Sequence, residues 1–164
     1  MGWESPTSYN DPSSAWTDDE FAYDDYTDTF AYDENVGAGA WSAWLELNIA
    51  AIQCDKVRFN AGAETDTIEL QAYYNSAWQA VYTGTFLSNE WVEKALGGTY
   101  SVTASRMRFK NNDVVSRDAS INEFDFWQVE AGAAQPKGGI LKGRNKLTGT
   151  LGKSNGIPGI GVEL

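Results

Sequence analysis

Apolar residues recur at every second position through the middle of the chain, and that period dictates extended backbone. In WLELNI (44–49), Leu45, Leu47 and Ile49 fall on one face, because successive side chains of a strand point to opposite sides. KVRFN (56–60) aligns Val57 with Phe59, and TIELQAYY (67–74) aligns Ile68, Leu70, Ala72 and Tyr74. AWQAVY follows across Asn75-Ser76, a pair of turn formers, so these two runs predict a β-hairpin. EWVEKAL is a further short candidate around Trp91 and Val92. SRMRFK (105–110) turns Met107 and Phe109 inward and Arg106, Arg108 and Lys110 outward. NEFDFWQVE (122–130) sets Phe124 and Phe126 on one face, or Trp127 and Val129 on the other. No segment keeps a long 3.6-residue period, and VEKAL is too short for a stable helix. Seven or eight short strands separated by turns predict an all-β chain, an antiparallel jelly-roll-like β-sandwich with an extended C-terminal arm.

The sandwich is assigned to residues 1–130, with 1–20 as an acidic, aromatic N-terminal segment, and the arm to 131–164. The arm has nine glycines, and its apolar residues, among them Leu141, Leu147, Leu151, Ile157 and Ile160, are too scattered for a core. By itself such a segment cannot offset the entropy of ordering it. It is either a floppy tail or an arm that orders on a partner. Charge divides the same way. Residues 1–130 hold 22 acidic and 7 basic side chains, a balance of −15, whereas 131–164 hold five bases, including Lys137, Lys142 and Arg144, against Glu163. An acidic body repels phosphate, which argues against nucleic acid as a partner. The basic arm suits an acidic surface, including another copy of this chain.

Several chemistries are excluded. The chain has no His, so Ser–His and Cys–His catalysis and His-based zinc sites are ruled out. A lone Cys54 has no internal disulfide partner and reads as a buried, inert thiol. Oxygen ligands remain, and these suit calcium. No run of about eighteen apolar residues marks a membrane span, and MGWESPTSYND lacks the basic and apolar regions of a secretory signal.

The stretch AYDDYTDTFAYDE (22–34) packs five carboxylates and four aromatic rings into thirteen residues. Like charges this dense call for a bound cation, solvation in a loop, or a sugar-binding role. AYDDYTDTFA (22–31), WLELNI, SRMRFK and INEFDFW (121–127), in this order and spacing, resemble the galactose-binding-like domain. It is also known as the discoidin or coagulation-factor C-type β-sandwich, and many carbohydrate-binding modules share it. The resemblance covers roughly residues 10–130. It implies a structural calcium where the early loop meets the last strand, with Asp24, Thr29 and Glu123 as ligands and Asp28 as an extra one. This sequence departs from the family at Asp25, where the family prefers Gly, a residue that takes up left-handed backbone without strain.

The resemblance also implies aromatic rings on loops for sugar stacking. Trp44, Trp78, Trp91 and Trp127 lie in strand patterns and read as core or half-buried. Trp16, Tyr23, Tyr26, Tyr32 and Trp41 lie in loop-like contexts and are the glycan-stacking candidates. The same rings equally suit the ends of the sandwich or a subunit contact, since interfaces and sugar sites share aromatic enrichment. No nucleophile–base signature points to catalysis. The expected function is a non-enzymatic structural protein of a large assembly, a bacteriophage virion component used in capsid decoration or in the tail, assembled in the host cytoplasm. The sandwich is displayed and the arm anchors it to neighbouring subunits in a homo-oligomer. The alternative is a freestanding carbohydrate-binding module or lectin with a structural calcium and a surface glycan as partner.

Overall fold

A computed structural model describes residues 1–62, 64, 65 and 67–130. The arm candidates Lys137, Leu141, Lys142, Arg144, Leu147, Leu151, Ile157 and Ile160 lie outside the described residues. Among the described residues, nine strands run in chain order as β1 (Gly2–Glu4), β2 (Ser8–Asn10), β3 (Trp16–Thr17), β4 (Ala31–Val36), β5 (Leu45–Ala61), β6 (Thr67–Tyr74), β7 (Ala77–Thr85), β8 (Val92–Lys110) and β9 (Arg117–Gln128). Every pairing between them is antiparallel.

Two strands are much longer than the sequence periods suggest. WLELNI and KVRFN are two ends of the single strand β5, and EWVEKAL and SRMRFK are two ends of β8. The residues between them stay extended because bulges absorb the mismatch. Between Asn48 and Ile52, β5 carries extra residues against β8, and between Cys54 and Lys56 the excess lies in β8, where Gly97 has φ 81°. A bulge bends the strand and shifts its face by one residue. The first half of β5 therefore pairs with β2 and with the end of β8, which in turn pairs with β6. The second half pairs with β9 and the start of β8. Two layers result, β2–β5–β8–β6–β7 and β8–β5–β9–β4–β3, the latter with β1 on the outer side of β9.

The core lies between the layers. Leu45, Leu47, Val57, Phe59, Ile68, Leu70, Met107, Phe109, Ile121, Phe124 and Phe126 are all fully buried. Trp16 of β3 crosses the sandwich to Phe109 with ring centroids 6.2 Å apart, and Phe86 contacts both Phe59 and Phe109 at 5.7 Å. Full burial of such side chains stabilises the fold by roughly 1.5–3 kcal/mol each. The inward sets of SRMRFK and TIELQAYY match the sequence periods. In β9 the Phe124–Phe126 face is the inward one. Cys54 is buried, and burial pushes its thiol up to about 11, so it is inert as expected.

The hairpin at Asn75-Ser76 is present, with Tyr74 paired to Ala77. Both turn residues have positive φ, 53° and 61°. This is the left-handed pair of a type I′ turn, whose twist suits a two-residue hairpin. Asn tolerates that region, and Ser does so at a cost. Ser76→Gly is expected to stabilise the protein by about 1 kcal/mol, read as a Tm increase of about 2–4 °C. A lower Tm would contradict the turn assignment.

Candidate functional site

The acidic stretch folds into a loop held by its own side chains. A single turn of 3-10 helix, Asp19–Ala22, follows Asp18 at φ 57°. Asp24 then organises the next residues. Its Oδ1 accepts from the Tyr26 N–H at 3.0 Å, and the Thr29 hydroxyl donates to its carboxylate at 2.9–3.0 Å. Asp25 has φ 68°, so the position where the resembled family favours Gly is left-handed here too. An Asp adopts that region more readily than most side chains. The turn aims the Asp25 N–H at Glu123 of β9, 2.6 Å from Oε1. Beside it, the Asn122 side-chain amide donates to the Thr27 carbonyl at 3.0 Å. The Ser5 hydroxyl lies 2.9 Å from Asp25 and 3.1 Å from Asp125, and its one proton serves one of them at a time.

The structure thus brings Asp24, Thr29 and Glu123 together as the resemblance implied. Asp28 is exposed, and the interactions that join the other three do not include it. Glu123 is only 2 % exposed. Burial, with Asp125 nearby and Asp24 in hydrogen-bond contact, pushes its carboxyl up to about 8 despite the Asp25 N–H. The donor set suits a hard cation: two touching carboxyls, a hydroxyl and loop carbonyls. Asn60 pairs across strands with Glu123, is buried, and has an Oδ1 with no hydrogen-bond partner. Among the described residues, no three acidic, Cys or His side chains converge as a metal cluster, so a cation here would draw on hydroxyl, amide and carbonyl oxygens as well.

The aromatic candidates separate. Trp16 is a correction to the sequence reading. It is 6 % exposed, its indole N–H donates to the Ala43 carbonyl at 3.2 Å, and its ring fills the core, so no sugar reaches it. Its two-residue strand is too short to show a period. Tyr23 is half-buried and packs against the core. Tyr26 stands 64 % exposed on the loop tip. Tyr32 meets exposed Phe30 edge to face at 5.8 Å. Trp41 belongs to a different surface, 4.8 Å from the Arg108 guanidinium. The loop therefore presents Tyr26, Phe30 and Tyr32 beside Asp25 and Asp28, and Phe30 is an addition to the sequence candidates.

A second aromatic surface was hidden in the strand patterns. On the outward side of β2–β5–β8–β6–β7, Arg108 lies over Trp41 and Trp44, and Arg106 over Trp44 and Trp78, at 4.4–4.8 Å. Both Arg108 donors reach Glu69 at 2.6–2.8 Å, and both Arg106 donors reach Gln71 at 2.8–3.0 Å. The Gln71 amide returns to Glu69 at 3.0 Å, and Tyr73 meets Trp78 edge to face. Cross-strand register aligns each of these pairs, Glu69 with Arg108 and Gln71 with Arg106. The available signal was phase: Trp44 is out of step with Leu45 and Leu47, as Arg106 and Arg108 are with Met107. The opposite layer carries a similar arrangement, with Lys56 over Trp3 and Trp127 and Arg58 over Trp3 and Trp91.

Glu123 sets a pH dependence. Its folded pKa is raised, so between about 4.5 and about 8 the folded chain binds one more proton than the unfolded chain, and stability falls as pH rises. In the presence of a chelator, Tm is expected to decrease from pH 5 to pH 8. The loss amounts to a few kcal/mol, since each tenfold change in proton affinity is worth roughly 1.4 kcal/mol. Glu123→Gln keeps an acceptor for the Asp25 N–H and is expected to flatten the profile. An unchanged slope in that variant would place the titration elsewhere.

No family model and no curated protein matches the chain. Solved structures do. The chain is similar to chitosan-binding module 1 of a chitosanase/glucanase from Paenibacillus sp. IK-5, at 16 % identity and TM-score 0.56, over 73 % of this chain and 92 % of that one. It is similar to the CBM32 of AlyQ in complex with 4,5-unsaturated mannuronic acid, at 14 % identity and TM-score 0.57, over 79 % of this chain and 100 % of that one. It is also similar to the family 32 module of C. perfringens NanJ in complex with galactose, at 15 % identity and TM-score 0.50, over 73 % and 90 %. At these identities the likeness speaks for fold alone: the chain has the galactose-binding-like β-sandwich fold.

Proposed function

We propose that the described body is a non-catalytic carbohydrate-binding module. The observation that supports this most is the loop carrying exposed Tyr26 and Phe30 beside Asp25 and Asp28, on a fold whose solved neighbours are carbohydrate-binding modules. Ring faces stack on the apolar faces of sugars, and the carboxylates accept from hydroxyl or ammonium groups. A balance of −15 over residues 1–130 disfavours a uronate polymer and favours a neutral or amino sugar. The acidic side chains that cluster most closely, Asp24 and Glu123, brace the loop against β9, which favours a binding role for this site over a catalytic one.

Calcium is proposed as the structural ion of this loop. Asp24, Thr29 and Glu123 would hold it, and it would supply the positive charge that the touching carboxyls lack. Calcium is expected to raise Tm, more at pH 8 and above than at pH 5, because Glu123 gives up its proton more readily there, and Glu123→Gln is expected to lose most of that rise. A Tm indifferent to calcium and to EDTA would remove the ion from the site.

For the sugar, chitosan oligomers are expected to bind at low ionic strength and to weaken as salt is added. The double variant Tyr26→Ala/Phe30→Ala is expected to lose about tenfold in affinity, in line with the stacking energy of aromatic rings. Calorimetry with chitosan oligomers, galactose and alginate checks this. Failure of both chitosan and galactose to bind would sink the loop site. Self-association through residues 131–164 is a second reading, drawn from the contrast between their basic charge and the acidic body. It predicts a salt-sensitive homo-oligomer of the full chain that removal of 137–164 dissolves.

A further inference from the structure

We propose that the outward face of β2–β5–β8–β6–β7 is a second, separate binding surface, which takes an extended, uncharged polysaccharide chain. Only the ligand's class rests on the carbohydrate-binding reading above; the residues and the selectivity are different. Trp44 and Trp78 gain no core contacts from this side of the sheet, yet they and Trp41 lie half-exposed along it. A contiguous aromatic surface on a solvent-facing sheet marks a contact site rather than a packing necessity. The rings are also held in place. Arg106 and Arg108 lie over the rings and join them, and Gln71 and Glu69 each hold one guanidinium by two of its donors. Such a pre-ordered surface loses little side-chain entropy on binding.

Charge balance selects the ligand. Arg106, Arg108 and Lys110 face Glu46 and Glu69, so the local excess is a single positive charge within a strongly acidic body. The two arginine ion pairs are already formed, so Lys110 is the one charge on this face that they leave over, too little to select a charged polymer against the acidic body. A neutral chain finds the ring surface that the guanidiniums leave uncovered, above all on Trp41 and Trp78, which each carry a single guanidinium, and guanidinium, amide and carboxylate edges for its hydroxyls. From β5 to β7 the face spans three strand intervals, roughly 14 Å. That extent suits several linked sugars and exceeds what one monosaccharide fills.

The experiment is affinity electrophoresis of the full chain in gels containing soluble mixed-linkage β-glucan, xylan or galactomannan, at low salt and again at 0.5 M salt. At least one polymer is expected to retard the protein, equally at both ionic strengths. Trp78→Ala, at the edge hairpin, is expected to weaken retardation about tenfold, and Trp44→Ala/Trp78→Ala to abolish it. Tyr26→Ala/Phe30→Ala is expected to leave it unchanged. Should the double Trp variant fail to fold, as judged by its melting transition, Trp78→Ala by itself decides. Three results would each overturn the proposal: no retardation by any of the polymers, retardation that Trp78→Ala leaves intact, or retardation lost with the loop variant. A dimer that Trp78→Ala dissociates, without polysaccharide binding, would overturn it in favour of a second copy of the chain as the occupant. Loss of chitosan binding has no bearing on these readouts, so the loop site and the face site fail independently.

Discussion

A one-residue bulge at Asn122 is the constraint from which the rest of the architecture follows. In β9, Ile121 pairs with Ala61 and Glu123 with Asn60, which leaves Asn122 without a partner in β5. The extra residue moves the inward phase from odd to even positions. Ala119 and Ile121 enter the core before it, and Phe124 and Phe126 after it. Without the bulge, one of those pairs would face outward, at a cost of several kcal/mol for two large side chains. The same residue sets Glu123 on the outward side, where the loop above delivers the Asp25 N–H, and its own amide ties the Thr27 carbonyl. Core packing and the candidate ion site therefore share one backbone irregularity.

Charge is distributed with equal economy. The body has only seven basic residues, and Lys56, Arg58, Lys94, Arg106 and Arg108 each lie over an aromatic ring. A cation over a ring face is favourable, and its aliphatic stem covers apolar surface that a sheet exposes outward. The acids follow two patterns. Glu69, Asp113 and Asp125 pair with arginines, whereas the early loop concentrates carboxylates with no base beside them among the described residues. That contrast is why a neutral ligand suits the sheet face, whereas the loop suits a cation or an amino sugar.

Much of the fold was legible in the sequence. Alternation placed Leu45, Leu47, Val57, Phe59, Ile68, Leu70, Met107 and Phe109 inward, and these side chains are fully buried. It also placed Arg106 and Arg108 outward, and Asn75-Ser76 marked the hairpin. The merging of four runs into two long strands was not legible, because bulges interrupt the period at Asn48–Ile52 and Cys54–Lys56. Trp16 escaped for a related reason: a two-residue strand has no period, and its burial is decided by Phe109 on the opposite layer.

The sequence by itself determined the strand-forming runs, their inward faces, the acidic loop and the absence of His chemistry, since these depend on residue type and nearest neighbours along the chain. Only the tertiary structure decided which outward residues meet. Trp44, just ahead of β5, and Trp78 of β7 are separated by β8 and β6 and are joined through Arg106. Asp25 reaches Glu123 across 98 positions. Such encounters depend on strand order and register, which arise when the two layers close over a common core and leave no trace in local periodicity.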